Sequence, residues 1–261
     1  MSSSSSRPFI LISNDDGYKA PGINFLIDVL RPIADLVIVA PKGARSGFGC
    51  AITVTQPIHC KLVRQEEGLD LYACTGSPVD CVKLFFNVLK RNYNRLPDLV
   101  VSGINHGDNS SVNTFYSGTM GAVSEGVMQG VPGIGFSYDN FSTSVDMSPC
   151  APHIINIVQQ VLRDGLPPLS TLNVNFPNTS DIQGVKLCRM ARSRWINEME
   201  ERVRPRTNAP YYWLTGEPLE LEPEAEDTDR WALAHGFVAI TPQTLDATNY
   251  ALLQQLQSQL R

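Results

Sequence analysis

The chain has 261 residues, 43% of them hydrophobic and 18% charged, and its formal net charge at pH 7 is −5. This composition is typical of a folded globular protein and excludes an intrinsically disordered chain. The acidic balance also argues against a nucleic-acid polymer as partner, because proteins that bind one usually present a basic face. Since no apolar run approaches the roughly 20 residues that span a bilayer, we expect no membrane partner.

The first seven residues and the cysteines indicate the compartment. The leading serine tract has no apolar segment, so it is typical of a disordered leader and not of a secretory signal. The six cysteines are scattered and include no Cys-x-x-Cys pair, which disfavours a zinc site or a disulfide framework. We therefore expect reduced, mostly buried thiols in a cytoplasmic protein.

The first element is an apolar run at residues 9–12, which indicates a strand buried on both faces. It ends in the turn sequence Asn-Asp-Asp-Gly at residues 14–17. Ligands of open α/β sheets bind where the strands end, and two adjacent carboxylates repel each other unless a cation, a proton or a basic partner lies between them. One interpretation of Asp15 and Asp16 is therefore a divalent metal site. The other is an acidic turn that caps the next helix.

The following segments alternate between helical and strand patterns. Residues 22–33 carry apolar residues at helical spacing and residues 36–40 form a second apolar run, so a βαβ unit with parallel strands is predicted. Further strands are predicted at residues 69–74, 99–102, 133–137 and 172–175, and further helices at residues 78–90, 117–130 and 149–163. The predicted fold class is thus α/β, with a Rossmann-like, mostly parallel sheet flanked by helices.

Two segments depart from this alternation. Residues 51–60 alternate apolar with polar side chains, which predicts that they pair with residues 69–74 as an antiparallel ribbon. Beyond Phe176 the sequence changes character, and residues 217–229 are strongly acidic. The acidic stretch is typical of a solvated linker.

A strand at residues 236–241 and a helix at residues 245–260 close the chain. The helix is too rich in glutamine to be a satisfactory surface helix by itself. We therefore predict that residues 211–261 form an arm, a β-hairpin and a helix, that packs against another subunit. The chain is interpreted as a single domain over residues 1–261, with its core at about residues 8–210.

Oxygen-bearing side chains follow three of the predicted parallel strands. Asp15 and Asp16 follow the first, Ser46 lies in a glycine-rich loop after the second, and Asn105 follows the strand at residues 99–102. Each signal is weak alone, because an asparagine can close a turn and a serine is common in loops. Together they form an oxygen-only set suited to Mg²⁺ or Mn²⁺. His106 beside them either orients a substrate, acts as an acid, or is a bystander.

The helix predicted at residues 117–130 begins with Ser117, Gly118 and Thr119. These residues would direct backbone N–H groups and two hydroxyls at an anion. The alternative is an ordinary serine or threonine cap, which is the commoner use of such residues. Gly121 and Gly126 are poor helix formers, but they would let the helix pack closely on the sheet.

Five sequence blocks, in the same order along the chain, resemble the motifs of the SurE (survival protein E) family of metal-dependent nucleotidases. They are Asn-Asp-Asp-Gly-Tyr at 14–18 with Ala-Pro-Gly at 20–22, Ala-Pro at 40–41 with Arg-Ser-Gly at 45–47, Gly-Ser-Pro-Val-Asp-Cys-Val at 76–82, Ser-Gly-Ile-Asn-His-Gly-Asp-Asn at 102–109, and Tyr-Ser-Gly-Thr-Met-Gly-Ala at 116–122. The resemblance covers about residues 10–137. Residues 109–113 depart from the family pattern, in which many members have a glycine and an acidic residue, so the role of Asn113 stays open.

The resemblance implies hydrolysis of nucleoside 5′- and 3′-monophosphates to nucleoside and phosphate, and also of short polyphosphate, by a metal-activated water. It implies one Mg²⁺ or Mn²⁺ per subunit. The implied catalytic residues are Asp15 and Asp16, the implied metal ligands are Asp15, Asp16, Ser46 and Asn105, and the implied phosphate-binding residues are Asn109, Ser117, Gly118 and Thr119. The resemblance also implies a homodimer or homotetramer in which the C-terminal arm is exchanged.

From these ligand types we expect direct in-line hydrolysis without a covalent intermediate, with Asp16 either a general base or a metal ligand. Two other functions compete with this one. A haloacid-dehalogenase-like phosphatase also places an aspartate after its first strand, but it requires Asp-x-Asp, and adjacent side chains diverge along an extended chain. A non-enzymatic nucleotide-binding module can use the same doubly wound sheet.

Overall fold

The computed structural model describes residues 7–260, so the predicted leader lies outside the described residues except for Arg7. The strands are β1 (Phe9–Ser13), β2 (Asp35–Pro41), β3 (Cys60–Glu66), β4 (Leu69–Cys74), β5 (Leu99–His106), β6 (Gly133–Tyr138), β7 (Ser170–Phe176), β8 (Val185–Leu187), β9 (Ser193–Ile196), β10 (Met199–Val203), β11 (Pro210–Leu214), β12 (Glu217–Glu220) and β13 (Val238–Thr244). The α-helices are α1 (Pro21–Leu30), α2 (Pro78–Asn87), α3 (Gly118–Met128), α4 (Ala151–Asp164), α5 (Asp229–Ala234) and α6 (Tyr250–Gln259).

The central sheet has nine strands in the order β3-β4-β2-β1-β5-β6-β7-β13-β8. The strands from β4 to β7 in this order all pair in parallel. β3 adds an antiparallel strand on one side, and β13 adds another beside β7, with β8 parallel to β13. This mostly parallel sheet flanked by helices confirms the predicted fold class.

β1 lies in the middle of the sheet, and both of its faces are covered. Ile10 and Ile12 pack in the apolar cluster that includes α1 and α4, whereas Phe9 and Leu11 pack with Phe85 of α2 on the other face. Full burial of one such side chain stabilises a fold by roughly 1.5–3 kcal/mol. The central position of β1 therefore fixes the turn that follows it at the carboxyl edge of the sheet.

Helix α3 packs unusually close to its neighbours. A Cβ atom on Gly126 would lie 2.5 Å from a methyl group of Val100 in β5, and one on Gly121 would lie 2.6 Å from the carbonyl oxygen of Gly49. The Gly126 contact confirms the prediction that small residues let this helix approach the sheet, and Gly121 lets it approach the loop after β2. The close approach brings the first turn of α3 next to the end of β1.

The strand predicted at residues 51–60 is wrong, since the structure has its strand at Cys60–Glu66. The backbone at residues 51–53 pairs instead with the start of α2. The Thr53 amide donates to the Asp80 carboxylate at 3.1 and 3.2 Å, and the Ser77 hydroxyl donates to the Ala51 carbonyl at 2.6 Å. Because these groups serve the helix cap, they are not available to a neighbouring strand.

Two predicted boundaries also move. β5 continues past residue 102 through an irregularity between Ser102 and Asn105, so Asn105 lies near the end of the strand and not in the loop after it. Helix α6 begins at Tyr250 instead of residue 245, because the Asn249 side chain accepts a hydrogen bond from the Leu252 amide and caps the helix there.

Part of the segment predicted as an arm belongs to the central sheet, because β13 pairs with β7 from Ala239 to Thr244. The remainder includes most of β11 and helix α6, none of whose residues is buried. β11 forms an exposed hairpin with β10, which lies before residue 211, so the hairpin is only partly within the predicted arm. Within residues 7–260, no helix combines the length and the apolar character needed to cross a membrane.

Candidate active site

The turn after β1 is held by Asn14, which is fully buried. Its side-chain amide donates to the Gly17 carbonyl at 3.0 Å, and the Gly17 amide donates back to Asn14 Oδ1 at 3.2 Å. Gly17 has φ +98°, and a Cβ there would lie 3.1 Å from the backbone of Gly43. The turn therefore requires glycine, and it fixes Asp15 and Asp16 at the edge of the sheet.

The alternative interpretation, an acidic cap on α1, is not supported by the helix itself. The N-cap residue of α1 is Ala20, the first turn contains no acidic residue, and no side chain among the described residues caps it. The carboxylates of Asp15 and Asp16 consequently have other neighbours.

Asp15 is only 3% exposed, and it lies against the first turn of α3. The Thr119 hydroxyl donates to Asp15 Oδ1 at 2.6 Å, and a Cβ on Gly118 would lie 2.8 Å from the Asp15 Cβ atom. Burial raises the pKa of Asp15 to about 6 and Asp16 adds to this, while hydrogen bonds from Thr119 and Gly118 oppose it. An uncompensated charge is costly here, so a cation next to Asp15 would be strongly favoured.

Asp16 is held by His106. Asp16 Oδ2 accepts from the His106 backbone amide at 3.3 Å and lies 3.3 Å from His106 Nδ1. The ring is 5% exposed, and within the described part of the chain its Nε2 atom is buried without a hydrogen-bond partner. In the tautomer that carries its proton on Nδ1, the ring donates to Asp16 Oδ2. His106 therefore positions Asp16.

A cavity of about 540 Å³ opens at this edge of the sheet. Three of the four predicted metal ligands line it, namely Asp15, Ser46 and Asn105. Asp16 lies beside them, engaged with His106. Two predicted phosphate-binding residues, Asn109 and Ser117, line the same cavity, whereas Gly118 and Thr119 pack behind Asp15. The structure thus brings most of the predicted residues together.

The donor set fits Mg²⁺ or Mn²⁺. The Asn105 amide nitrogen donates to the Gly107 carbonyl at 2.8 Å, so the oxygen is the atom of this side chain left to serve a cation. Carboxylate, amide and hydroxyl oxygens are the ligands that hard divalent cations prefer. No group of three or more His, Cys, Asp or Glu side chains within residues 7–260 is arranged to hold a metal, and the predicted set differs in taking two neutral oxygen donors.

The start of α3 shows one of the two uses that its residues suggested, the N-cap, while anion binding stays a prediction. Ser117 is the N-cap, and its hydroxyl oxygen accepts from the Met120 amide at 3.1 Å. This bond uses the oxygen of the Ser117 hydroxyl as acceptor, so the hydrogen can point in another direction. Ser117 also lines the cavity. Thr119, in contrast, is fully buried, and its hydroxyl serves Asp15. A direct contact of phosphate with Thr119 stays a prediction.

Asn109 is fixed by buried polar residues that the sequence analysis missed. The Asn109 backbone amide donates to Asn175 Oδ1 and its side-chain amide donates to Ser137 Oγ, both at 2.7 Å. Asn173 donates to the Asn109 carbonyl at 2.7 Å. Asn173 and Asn175 are fully buried although they alternate with apolar residues in β7. The sequence signal that could have identified these residues is a pair of asparagines two positions apart, and therefore on one face of a strand.

The cavity lining also includes residues after Phe176, which no motif identified, namely Trp195, Glu198, Leu214 and Thr215. Trp195 of β9 donates its indole N–H to Asn113 Oδ1 at 2.9 Å, so Asn113 holds this ring in place. Tyr116 and Phe141 add aromatic surface to the lining. The cavity lining therefore combines polar, oxygen-rich residues with three aromatic ones.

Asp139 directly follows β6, and its carboxylate is influenced by Asp108, which lines the cavity. We expect Asp139 to make the stability of the fold depend on pH. Burial raises the pKa of Asp139 to about 6, Asp108 adds to this, and Arg230 opposes it. Because this pKa exceeds the unfolded value, the charged carboxylate destabilises the fold above pH 6, and the penalty disappears as the pH falls towards 4.

Asp139→Asn should therefore raise the free energy of unfolding by about 1 kcal/mol at pH 7.5, a value reduced for the partial exposure of the group. The gain should shrink steadily between pH 6 and pH 4. Urea unfolding at several pH values measures it, with the exposed Asp164→Asn as control. A gain that is constant over this pH range would contradict the assignment.

Three comparisons place the chain among known proteins. The model of the family described as Survival protein SurE matches residues 10–197. A protein named 5′-nucleotidase SurE from Bacteroides fragilis is 51% identical over 252 residues, which cover 97% of this chain and 97% of the relative. A protein of the same name from Bacteroides thetaiotaomicron is 49% identical over 97% of this chain and 96% of its own length.

The crystal structure of the SurE protein from Aquifex aeolicus superimposes with a TM-score of 0.81 at 35% sequence identity. The match covers 97% of this chain and 100% of that one. The family match thus extends well beyond the motif blocks near the N-terminus, and the relatives align over nearly their whole length. The chain belongs to the SurE family.

Proposed function

We propose that this chain hydrolyses nucleoside 5′- and 3′-monophosphates, and short polyphosphate as well, in the cavity beside Asp15 with one Mg²⁺ or Mn²⁺ per subunit. Relatives at 40–51% identity over nearly the full chain carry the name 5′-nucleotidase SurE. On that basis the chain is a 5′-nucleotidase, a phosphoric monoester hydrolase. Beyond this activity, we propose that the chain requires a metal and that it also acts on 3′-monophosphates and on short polyphosphate.

One observation carries the proposal, namely the meeting of Asp15, Ser46, Asn105, Asn109 and Ser117 in one cavity. These residues come from the turn after β1, the loop after β2, the end of β5 and the loop after it, and the N-cap of α3. An oxygen-only set beside a helix N-terminus suits a divalent cation next to a phosphate.

The shape of the cavity suits a nucleotide. Its polar residues match an anionic phosphate, and Trp195, Tyr116 and Phe141 offer aromatic faces to a planar base. A volume of about 540 Å³ is within the range of small-molecule sites. A nucleoside monophosphate has both an anionic phosphate and a planar base, whereas polyphosphate would contact the polar residues alone.

The chemistry divides between the cation and the protein. A divalent cation in this oxygen set would polarise a phosphoryl oxygen and lower the pKa of a water. Thr119 and the start of α3 hold Asp15, and His106 holds Asp16 as a ligand or as the general base for the attacking water. Ser117 and Asn109 orient the phosphoryl oxygens for in-line attack, so that no covalent phosphoenzyme forms.

The test is phosphate release from a panel of 5′- and 3′-nucleoside monophosphates and short polyphosphate, with Mg²⁺, Mn²⁺ or EDTA. Turnover should require the metal. Binding of Mn²⁺, followed by electron paramagnetic resonance, should weaken at least tenfold in Ser46→Ala and Asn105→Ala, and it should not change in the exposed Asn87→Ala control. Unchanged Mn²⁺ binding in the two site variants would contradict the ligand set.

The same assay separates an enzyme from a binding module. A module would bind a nucleoside monophosphate in calorimetry without releasing phosphate. An acid-stable phosphoenzyme, recovered after rapid quenching, would contradict direct attack by water.

We also propose that the chain acts in the cytoplasm, since all six cysteines are free thiols.

We propose that the chain forms a homodimer or homotetramer through exchange of its C-terminal arm. Leu252, Leu253 and Leu256 of α6 are 39–47% exposed, and Tyr212 and Trp213 of β11 are 57–58% exposed. An apolar stripe of this kind on a terminal helix is costly unless it is covered.

Leu253→Asp with Leu256→Asp should therefore lower the mass measured by light scattering, since a charge on this stripe opposes its burial. Ser258→Asp on the same helix is the matched control and should leave the mass unchanged. A full chain that is monomeric at micromolar concentration would contradict the exchange.

A further inference from the structure

The ribbon formed by β3 and β4 carries two facing thiols. Cys60 and Cys74 are directly opposite each other in the antiparallel register, and their Sγ atoms lie 2.8 Å apart. Both are free cysteines. Neither belongs to the cavity beside Asp15, so the nucleotidase mechanism gives the pair no task.

The backbone pattern explains why the two sulfurs meet. In an antiparallel ladder, hydrogen-bonded pairs alternate with non-hydrogen-bonded pairs, whose Cα atoms are closer, at about 4.5 Å. The Thr75 amide donates to the His59 carbonyl at 2.9 Å, so this pair is hydrogen-bonded. The next pair, Cys60 and Cys74, is then non-hydrogen-bonded. Its expected separation lies within the range that a disulfide spans.

The two thiols differ in access. Cys74 is fully buried in the apolar cluster beneath α2, whereas Cys60 lies partly exposed on the edge strand. A small thiol reagent therefore reaches Cys60 first, and Cys74 is the group placed to react next. Cys50 is exposed and lies outside the ribbon, so it provides a comparison.

We propose that Cys60 and Cys74 are a modification site at which a low-molecular-weight disulfide, such as oxidised glutathione, forms a reversible intramolecular disulfide. The Cys60 thiolate attacks one sulfur of the oxidised glutathione and releases one glutathione thiolate. The Cys74 thiolate then attacks the Cys60 sulfur of the mixed disulfide and releases the second. The two cysteine thiols are oxidised, the glutathione disulfide is reduced to two thiols, and the two protons pass to the released thiolates.

The modification lies at the base of the loop that carries Ser46. The Lys42 amide donates to the Cys74 carbonyl at 2.7 Å, and the Arg45 guanidinium donates to the Thr75 carbonyl at 3.0 Å. A Cys60–Cys74 disulfide would therefore link β3 covalently to the end of β4. The loop that carries Ser46 is hydrogen-bonded to this same end of β4.

The experiment treats the reduced full chain, in a Cys50→Ser background, with oxidised glutathione near the ordinary thiol pKa of about 8.5. This pH is chosen because the hydrogen bond with Cys74, together with burial, raises the pKa of the Cys60 thiol. After an iodoacetamide quench, intact mass and non-reducing peptide mapping should show the loss of two hydrogen atoms and a Cys60–Cys74 cross-link. Dithiothreitol should reverse both changes.

Two matched variants test the order of events. In Cys74→Ser, the glutathione adduct at Cys60 should persist at least tenfold longer than in the chain that retains Cys74, because no second thiol resolves it. In Cys60→Ser, Cys74 should stay unmodified because it is buried. A stable adduct at Cys60 despite Cys74, a cross-link to Cys81 instead, or no oxidation of the pair would overturn the proposal.

Discussion

Replacement of Asp15 with asparagine should lower kcat/KM for a nucleoside monophosphate by roughly 10³-fold or more while leaving the protein folded. The amide keeps an oxygen that can accept the Thr119 hydroxyl bond, now 2.6 Å long, so the packing of α3 against β1 should survive. What the substitution removes is the negative charge that would bind a cation. Phosphate release at saturating Mg²⁺ or Mn²⁺ measures the loss.

The stability of the same variant should move in the opposite direction. In EDTA, the Asp15 carboxylate has a pKa of about 6, above its unfolded value, because burial disfavours the charge. Both states are protonated below about pH 4, and the folded state carries the full penalty only above pH 6. Asp15→Asn should therefore raise the free energy of unfolding by on the order of 1–2 kcal/mol at pH 7.5, with a smaller gain near pH 5.

Asp80 is the matched control, since it is an aspartate whose task is structural. Burial alone would raise the pKa of Asp80, but hydrogen bonds from Thr53 and Ser77 outweigh it and lower the pKa. Asp80→Asn should therefore destabilise the fold above pH 4 and leave the catalytic residues in place. If Asp15→Asn instead lost stability as Asp80→Asn does, the task of Asp15 would be structural and its role in a metal site would be contradicted.

The difference between these two aspartates shows what the sequence could predict. A run of apolar residues that stops in Asn-Asp-Asp-Gly is a local pattern, and so are Ser77 and Pro78 at the start of α2. Both the parallel strands and the residues at their carboxyl ends follow from such patterns, because each strand is buried on two faces and its end is marked by turn residues. The polar residues that line the cavity at the strand ends, such as Asp15 and Asn105, were predictable for this reason.

The part of the cavity lining that follows Phe176 was not predictable, because it depends on contacts between distant residues. Trp195 meets Asn113 across 82 positions of the chain, and nothing in either neighbourhood marks the pair. The strand predicted at residues 51–60 failed for a related reason, since the backbone of Thr53 is taken by Asp80, 27 residues later. A periodic pattern of side chains does not show which backbone groups are already engaged.

Asp229 is the strongest case of such a distant contact, and replacing it should cause the largest loss of stability. It is fully buried at the first turn of α5. Its carboxylate accepts backbone amides from Ser111 at 2.8 Å, from Ala191 at 2.9 Å and from Arg230 at 2.9 Å. Burial raises the pKa of Asp229, and the bonds from Ser111, Ala191 and Arg230 oppose this, so the charge is tolerated through these amides.

Asp229→Ala should lower the free energy of unfolding by roughly 3–5 kcal/mol, because three amide groups would lose their acceptor together. Asp229→Asn should cost less, since one oxygen remains. Urea unfolding in EDTA at a fixed protomer concentration measures both, with Asp227→Ala as control. Asp227 is exposed and pairs with Arg189 at 2.8 Å on the surface, so its loss should change stability little.

The effect on activity follows from where the amides lie. Ser111 belongs to the loop that also carries Asn109, and its hydroxyl donates to the Ala191 carbonyl at 2.8 Å. Releasing this loop should raise KM for a nucleoside monophosphate more than it lowers kcat, because Asp15 and its partners on β1 and α3 are untouched. A folded Asp229→Asn protein with the KM of the unmodified chain would show that α5 supports the fold without positioning Asn109.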